Sequence, residues 1–163
     1  MRRRAVLGGA VGVVAVAVGG ATAADLFLPE RSTTVAEADE GTGTVLRRGT
    51  FEGQAGHRVV GTVELVRDGE GHSLRFVEYE QTPGPDVFVY LTPSPTPETT
   101  ADVAAGTKVL VYGGADGGES TKEGTFVQRL PPALDVEPFR GVSVWCDRFA
   151  VPFGRATLAA VES

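Results

Sequence analysis

The sequence contains very little sulfur, because its 163 residues include one cysteine, Cys146, and one methionine, Met1. A single cysteine excludes a disulfide within the chain, since that bond needs two thiols. It also excludes covalent haem attachment, which requires a C-x-x-C-H motif. The thiol of Cys146 is therefore free, joined to another molecule, bound to a ligand, or buried as a small apolar group.

Basic residues are also fewer than acidic residues. The chain has 15 Lys and Arg residues against 21 Asp and Glu residues, which gives a formal net charge of −6. Because phosphate binding needs a basic patch, this balance argues against a nucleic-acid partner. Motifs for hydrolysis and for nucleotide cofactors are missing as well, among them G-x-S-x-G and H-E-x-x-H. The sequence therefore gives no support to an enzyme of these classes.

The first 24 residues have the pattern of an export signal. Three arginines, Arg2 to Arg4, precede an uncharged run from Ala5 to Ala24 that is rich in Ala, Val and Gly. Ala21-Thr22-Ala23 offers a small-x-small cleavage site, which is typical of a signal peptide. The run is also about as long as a membrane-spanning helix requires, so an uncleaved anchor is the alternative. Both alternatives predict an extracytoplasmic domain, either secreted or anchored by this hydrophobic leader.

The composition of residues 25–43 predicts a flexible acidic linker between the leader and a folded domain. This segment contains Pro29 and the acidic residues Glu37, Asp39 and Glu40. Such a polar composition is typical of a solvated tether near a chain terminus. The predicted domain then comprises the rest of the chain, residues 44–163.

Apolar residues in the predicted domain alternate with the two-residue period of β-strands. The segment 57–66 shows the alternation clearly, and the segments 142–146, 148–153 and 155–161 predict three closing strands. Turn signals recur roughly every 8 to 15 residues, as in β-sandwiches and small barrels. We therefore predict an all-β fold after the leader helix: an antiparallel β-sandwich or small barrel of about eight to ten strands.

Three blocks of the sequence resemble the DM13 domain family, and they follow one another in the family's order. The pair Trp145-Cys146 is the most specific part of the resemblance. The family is an extracytoplasmic β-rich module that often lies beside DOMON and cytochrome-type domains, and it is proposed to act in redox chemistry through its cysteine. The blocks are Gly49–Phe51 with Gly56–Val63, Leu74–Phe76 with Gly84–Leu91, and Val142–Cys146 with Phe149–Gly154 and Ala156–Leu158.

The resemblance implies a function and a set of site residues. Cys146 is the implied redox thiol, with Trp145 beside it, in a module for electron transfer or redox sensing that meets a redox partner protein at the membrane. Asp86 falls in the Gly-Pro-Asp motif of the central block and is a candidate cofactor-binding residue. The chain departs from the family at Phe139, where a tyrosine is common, and this weakens the case for a tyrosine-based electron route.

The sequence leaves the identity of a cofactor open. His57 and His72 are the only histidines, and with Cys146 they supply the ligand types of a blue-copper site. Haem or copper is therefore a candidate, with His57 as a binding residue, and the alternative places both histidines in turns and at strand edges. Asp86 has an alternative role as a turn residue. For Cys146 the alternative is a structural role in a non-catalytic adhesion or binding sandwich.

Overall fold

The computed structural model describes residues 33–35, 43–109 and 122–162. The leader at residues 1–24 and most of the linker at residues 25–43 lie outside the described residues, so those predictions stand as predictions. The described chain contains one short helix, α1 (Thr100–Ala104), and eleven strands: β1 (Thr33–Val35), β2 (Thr44–Thr50), β3 (Glu52–Gly53), β4 (Val59–Asp68), β5 (Gly71–Gln81), β6 (Val87–Thr92), β7 (Thr107–Val109), β8 (Lys122–Arg129), β9 (Gly141–Cys146), β10 (Val151–Thr157) and β11 (Ala159–Ala160).

The strands form two sheets, with the order β1-β8-β5-β4-β2-β11 in the first and β3-β10-β9-β6-β7 in the second. Every neighbouring pair is antiparallel except β1 with β8, which is parallel. The all-β prediction is confirmed, and two separate sheets fit the predicted sandwich. The strand count exceeds the predicted range because β1, β3 and β11 are too short to show an alternating pattern. No helix within the described ranges is both long and apolar enough to span a bilayer.

Aromatic rings fill the part of the core that the first sheet covers. Phe76 stacks on Phe126 with ring centroids 4.7 Å apart, and Phe51 meets Tyr79 edge-on at 5.1 Å. All four side chains are buried. Aromatic pairs at such distances contribute roughly 0.5–1.5 kcal/mol each beyond the burial of their surface. This cluster is therefore a main source of stability for the sandwich.

Strand β9 lies in the middle of the second sheet, between β10 and β6, and all six of its residues are buried. Consecutive side chains of a strand point to opposite faces. Val142, Val144 and Cys146 accordingly join the core between the sheets, whereas Trp145 joins a second apolar cluster on the outer face. The Trp-Cys pair thus places its two side chains in two separate environments.

A cleft of about 650 Å³ opens where irregular pairing interrupts β4 and β5. Gly61 has a φ of +103°, and a Cβ there would lie 2.6 Å from the carbonyl oxygen of Glu78, so only glycine fits. All lining residues belong to the first sheet, whereas Cys146 lies on β9 of the second sheet. They are Val60, Gly61, Glu78, Tyr79, Glu80, Glu123 and Gly124.

Candidate functional site

Cys146 is the last residue of β9 and lies opposite Val87 of β6 and Val151 of β10. Its exposed fraction is 0%, and its thiol is free. The Sγ atom donates a hydrogen bond to the carbonyl oxygen of Pro85, at a distance of 3.1 Å. The thiol therefore lies beneath the turn that precedes β6 and has no direct route to solvent in this conformation.

Asp86 closes that turn and ties it to the hairpin after β9. Its φ is +53°, a left-handed conformation that aspartate tolerates better than most residues. Its carbonyl oxygen accepts a hydrogen bond from the amide of Asp147 at 2.9 Å, and its carboxylate accepts one from Nε of Arg148 at 2.7 Å. Arg148 thus pairs with Asp86, and the pair bridges the two segments that lie nearest the buried thiol.

His57 is half-buried, and its imidazole lies flat on the ring of Phe153, with centroids 3.6 Å apart and planes inclined by 10°. Burial lowers the pKa of His57 below its ordinary value of 6.5. His72 lies elsewhere, on β5 opposite Arg67 near the β4–β5 turn. The structure therefore gives the two histidines separate surroundings.

The described residues do not form a metal centre of the kind that the ligand inventory suggested. Among them, no three His, Cys, Asp or Glu side chains come close enough together to hold a metal ion. Cys146 already directs its Sγ to a backbone carbonyl, and His57 stacks on a phenyl ring. This donor set does not fit a copper ion, which requires converging nitrogen and sulfur ligands.

The outer face of the second sheet carries a polar network that sequence reasoning missed. The hydroxyl of Tyr90 donates to the carboxylate of Asp147, 2.7 Å from Oδ1 and 3.0 Å from Oδ2. The same carboxylate accepts from Nζ of Lys108 at 2.6 Å. Nζ also lies 3.5 Å from the ring centroid of Phe88, a cation–π contact. Burial, followed by the hydrogen bond and charge of Asp147, raises the pKa of Tyr90.

Apolar side chains surround this network. Trp145 is 4% exposed and packs with Tyr90, Phe88 and Val103, the buried residue of α1. The only sequence signal for this group is the alternation in β6, which places Phe88 and Tyr90 on the face opposite Val87, Val89 and Leu91. The alternation does not identify the partners of Tyr90 and Phe88, because Lys108 and Asp147 are distant from β6 along the chain.

These observations define a two-sheet β domain with one buried free thiol and a tyrosine–carboxylate pair on the other face of the same sheet. A family model described as electron transfer DM13 matches residues 50–158. The chain belongs to the DM13 family, and the resemblance of the three sequence blocks is confirmed. No curated protein and no solved structure matches the chain.

Proposed function

We propose that this chain is an extracytoplasmic electron-transfer or redox-sensing domain that acts through Cys146 with a redox partner protein at the membrane. The observation that carries the proposal is the match to an electron-transfer family over residues 50–158, a range that contains the one cysteine of the chain. The export-signal pattern of residues 1–24 supports the location, either as a cleaved signal or as an anchor.

The number of cysteines limits the redox step. A thiol pair within the chain is excluded, so the partner must supply the other sulfur atoms. In the proposed step the Cys146 thiol gives its proton to solvent, and the thiolate attacks one sulfur of a partner disulfide. A new S–S bond forms, the old one breaks, and the second partner sulfur leaves as a thiolate. Cys146 is oxidised in this exchange, and the leaving sulfur is reduced.

Access to the thiol requires the turn at Pro85 and Asp86 to move, because Sγ lies against the Pro85 carbonyl. The ion pair between Asp86 and Arg148 resists that motion, but both side chains are more than a third exposed. Exposed pairs of this kind contribute only about 0–1 kcal/mol. The pair therefore adds little to the resistance of this turn, and in the proposed mechanism a local opening of the turn exposes Cys146 without unfolding of the whole domain.

A second candidate function is a non-catalytic adhesion or binding sandwich in which Cys146 is structural. The observation that favours it is the complete burial of the thiol in the core. A buried thiol in apolar surroundings is a small hydrophobic group and reacts slowly. The two candidates differ in one measurable property, which is whether the thiol becomes accessible without global unfolding.

The experiment is labelling of the full chain with a chromogenic aromatic disulfide at increasing urea concentrations, alongside equilibrium unfolding. If Cys146 acts through local opening, the labelling rate at low urea depends weakly on denaturant and exceeds the rate that global unfolding allows. A rate that follows the global unfolding free energy at every urea concentration would contradict the proposal and favour the structural role.

Two arginine variants test whether the turn at Pro85 and Asp86 controls access to the Cys146 thiol. We expect Arg148→Ala to speed native-state labelling about two- to fivefold, the effect of losing up to about 1 kcal/mol of restraint on the turn. Arg58→Ala removes a more exposed ion pair, with Glu80 of β5, and should leave the rate unchanged. Equal effects of both variants would show that labelling reports overall stability instead of this turn.

A further inference from the structure

We propose that Tyr90 is a second redox residue, which gives one electron to a high-potential one-electron oxidant while its phenolic proton passes to Asp147. This inference rests on the proposed electron-transfer function, but it concerns a different residue and the opposite face of the sheet from Cys146. It also differs from the tyrosine position at which Phe139 stands in this chain.

The hydrogen bond between Tyr90 and Asp147 has the geometry that coupled loss of a proton and an electron requires. The phenolic oxygen lies 2.7 Å from Oδ1 of Asp147, so the proton has an acceptor within direct reach. Asp147 follows β9 immediately, and its amide is fixed by the Asp86 carbonyl at 2.9 Å. The acceptor is therefore held by the backbone and does not depend on a flexible side chain alone.

The surroundings of Tyr90 couple the two transfers. Its side chain is largely buried among Trp145, Phe88 and Val103, where water does not solvate a charged ring. Burial and Asp147 raise the pKa of Tyr90, so the phenol keeps its proton before oxidation. Loss of an electron alone would leave a radical cation, which is a strong acid, against the carboxylate. The proton therefore leaves with the electron.

The step balances in atoms and charge. Neutral Tyr90 and the carboxylate of Asp147 become a neutral tyrosyl radical and a carboxylic acid, and one electron goes to the oxidant. In chemical class the oxidant is an oxidised metal centre of the redox partner, with a potential above that of the tyrosine couple. A one-electron reductant reverses the step when the proton returns from Asp147 to Tyr90.

Lys108 is a positioning residue for this pair. Its ammonium binds Oδ2 of Asp147 at 2.6 Å and rests 3.5 Å above the ring centroid of Phe88. With Oδ2 engaged in this way, Oδ1 is the nearer acceptor for Tyr90. The ammonium therefore holds the carboxylate in the position from which Oδ1 can receive the phenolic proton.

The test is laser-flash oxidation of the full chain with photo-oxidised ruthenium tris(bipyridine), with detection of a neutral tyrosyl radical by absorption and electron paramagnetic resonance. We expect the radical in the wild type and its loss in Tyr90→Phe. Tyr79→Phe is the matched control, because Tyr79 is also buried but its hydroxyl donates to the amide oxygen of Gln81, a much weaker base. An undiminished radical yield in Tyr90→Phe would overturn the proposal.

Asp147→Asn tests the proton acceptor while keeping the side-chain shape. We expect oxidation of Tyr90 to slow by about a hundredfold, within the range that a positioned proton acceptor contributes. The wild-type rate should fall in heavy water, and the variant should lose that dependence. An unchanged rate in a variant with the wild-type circular dichroism spectrum would overturn the role of Asp147.

Cys146→Ser separates this inference from the proposed function. If Tyr90 acts as proposed, the serine variant still forms the tyrosyl radical, since the thiol lies on the other face of β9. Thiol labelling that requires global unfolding would remove the role of Cys146 and leave Tyr90 in place. Native-state labelling without any Tyr90 radical would do the reverse.

Discussion

Glu64 carries a charge into a nearly buried position on β4. It is 4% exposed and lies directly opposite Arg48 on β2 and Arg75 on β5. Oε1 accepts from Nε of Arg48 at 2.7 Å, and Oε2 accepts from Nε of Arg75. Two arginines thus compensate one carboxylate across three neighbouring strands. The arrangement lets the outer face of the first sheet bury a charge without leaving it unpaired.

Removal of this charge should be costly. We expect Glu64→Gln to lower the free energy of unfolding by about 3 kcal/mol, because Arg75 is left largely buried without its counter-charge. Urea unfolding followed by circular dichroism measures the change. Glu80→Gln is the control, since Glu80 forms an exposed pair with Arg58 and should cost at most about 1 kcal/mol. Equal losses would contradict the importance of burial.

His57 gives the domain a pH dependence with a definite sign. Stacking on Phe153 buries the imidazole, which lowers its pKa in the folded state below the unfolded value near 6.5. Above pH 6.5 the imidazole is neutral in both the folded and the unfolded state, so it does not oppose folding. As the pH falls below 6.5 through the folded pKa, protonation of the imidazole favours the unfolded state, and stability is lost. Unfolding free energies measured on both sides of pH 6.5 should show this loss, and His57→Gln should reduce it. An identical pH profile in that variant would count against the assignment.

The observed strand bounds can be compared with those predicted from the alternation of apolar residues. The predicted segments 57–66 and 142–146 agree closely with β4 and β9. The prediction was wrong at residues 148–153, where a strand was expected from Arg148 onwards. Residues 147–150 form a turn, in which the Asp147 amide bonds to Asp86 and Ala150 has a φ of +51°. A single β10, followed by the two-residue β11, replaces the two predicted strands.

The N-terminus of helix α1 is stabilised by side chains that cap its first turn. Thr99 and Asp102 form a capping box, in which each side chain accepts a backbone N–H of the other residue. Thr99→Ala should cost about 1 kcal/mol of stability, the usual effect of losing such a cap. Because Val103 of α1 packs with Trp145, the one tryptophan, fluorescence in urea reports the change. Thr96→Ala is an exposed neighbouring control, and an equal loss there would exclude a specific role for the cap.

Strand order in the second sheet explains why the candidate sites were hard to predict. Tyr90 and Asp147 are 57 residues apart, and Lys108 is 39 residues from Asp147. They meet because β7, β6 and β9 are neighbours, and alternation alone does not give strand order. Cys146 was found from the sequence because it is a single residue with a family resemblance. Its burial was not, since a period of two tells which residues share a face but not which face is inward.

The boundary of the domain can be tested on the whole molecule. The family match begins at residue 50, and every described strand except β1 lies after residue 43. That strand has three residues and pairs with the edge of β8 in parallel. We expect a chain that starts at residue 43 to fold and to differ in unfolding free energy by about 1 kcal/mol or less, because the pairing among the other described strands is kept.

Circular dichroism and urea unfolding of the shortened and full chains provide the comparison. The shortened chain uncovers the β8 edge, and an open edge is a site where strands from other molecules pair. We therefore also expect its elution in size-exclusion chromatography to shift toward larger species as concentration rises. A shortened chain that is unfolded, or that loses most of its stability, would mean that residues before 43 belong to the domain. The predicted tether would then be part of the fold instead of a spacer between the domain and the membrane.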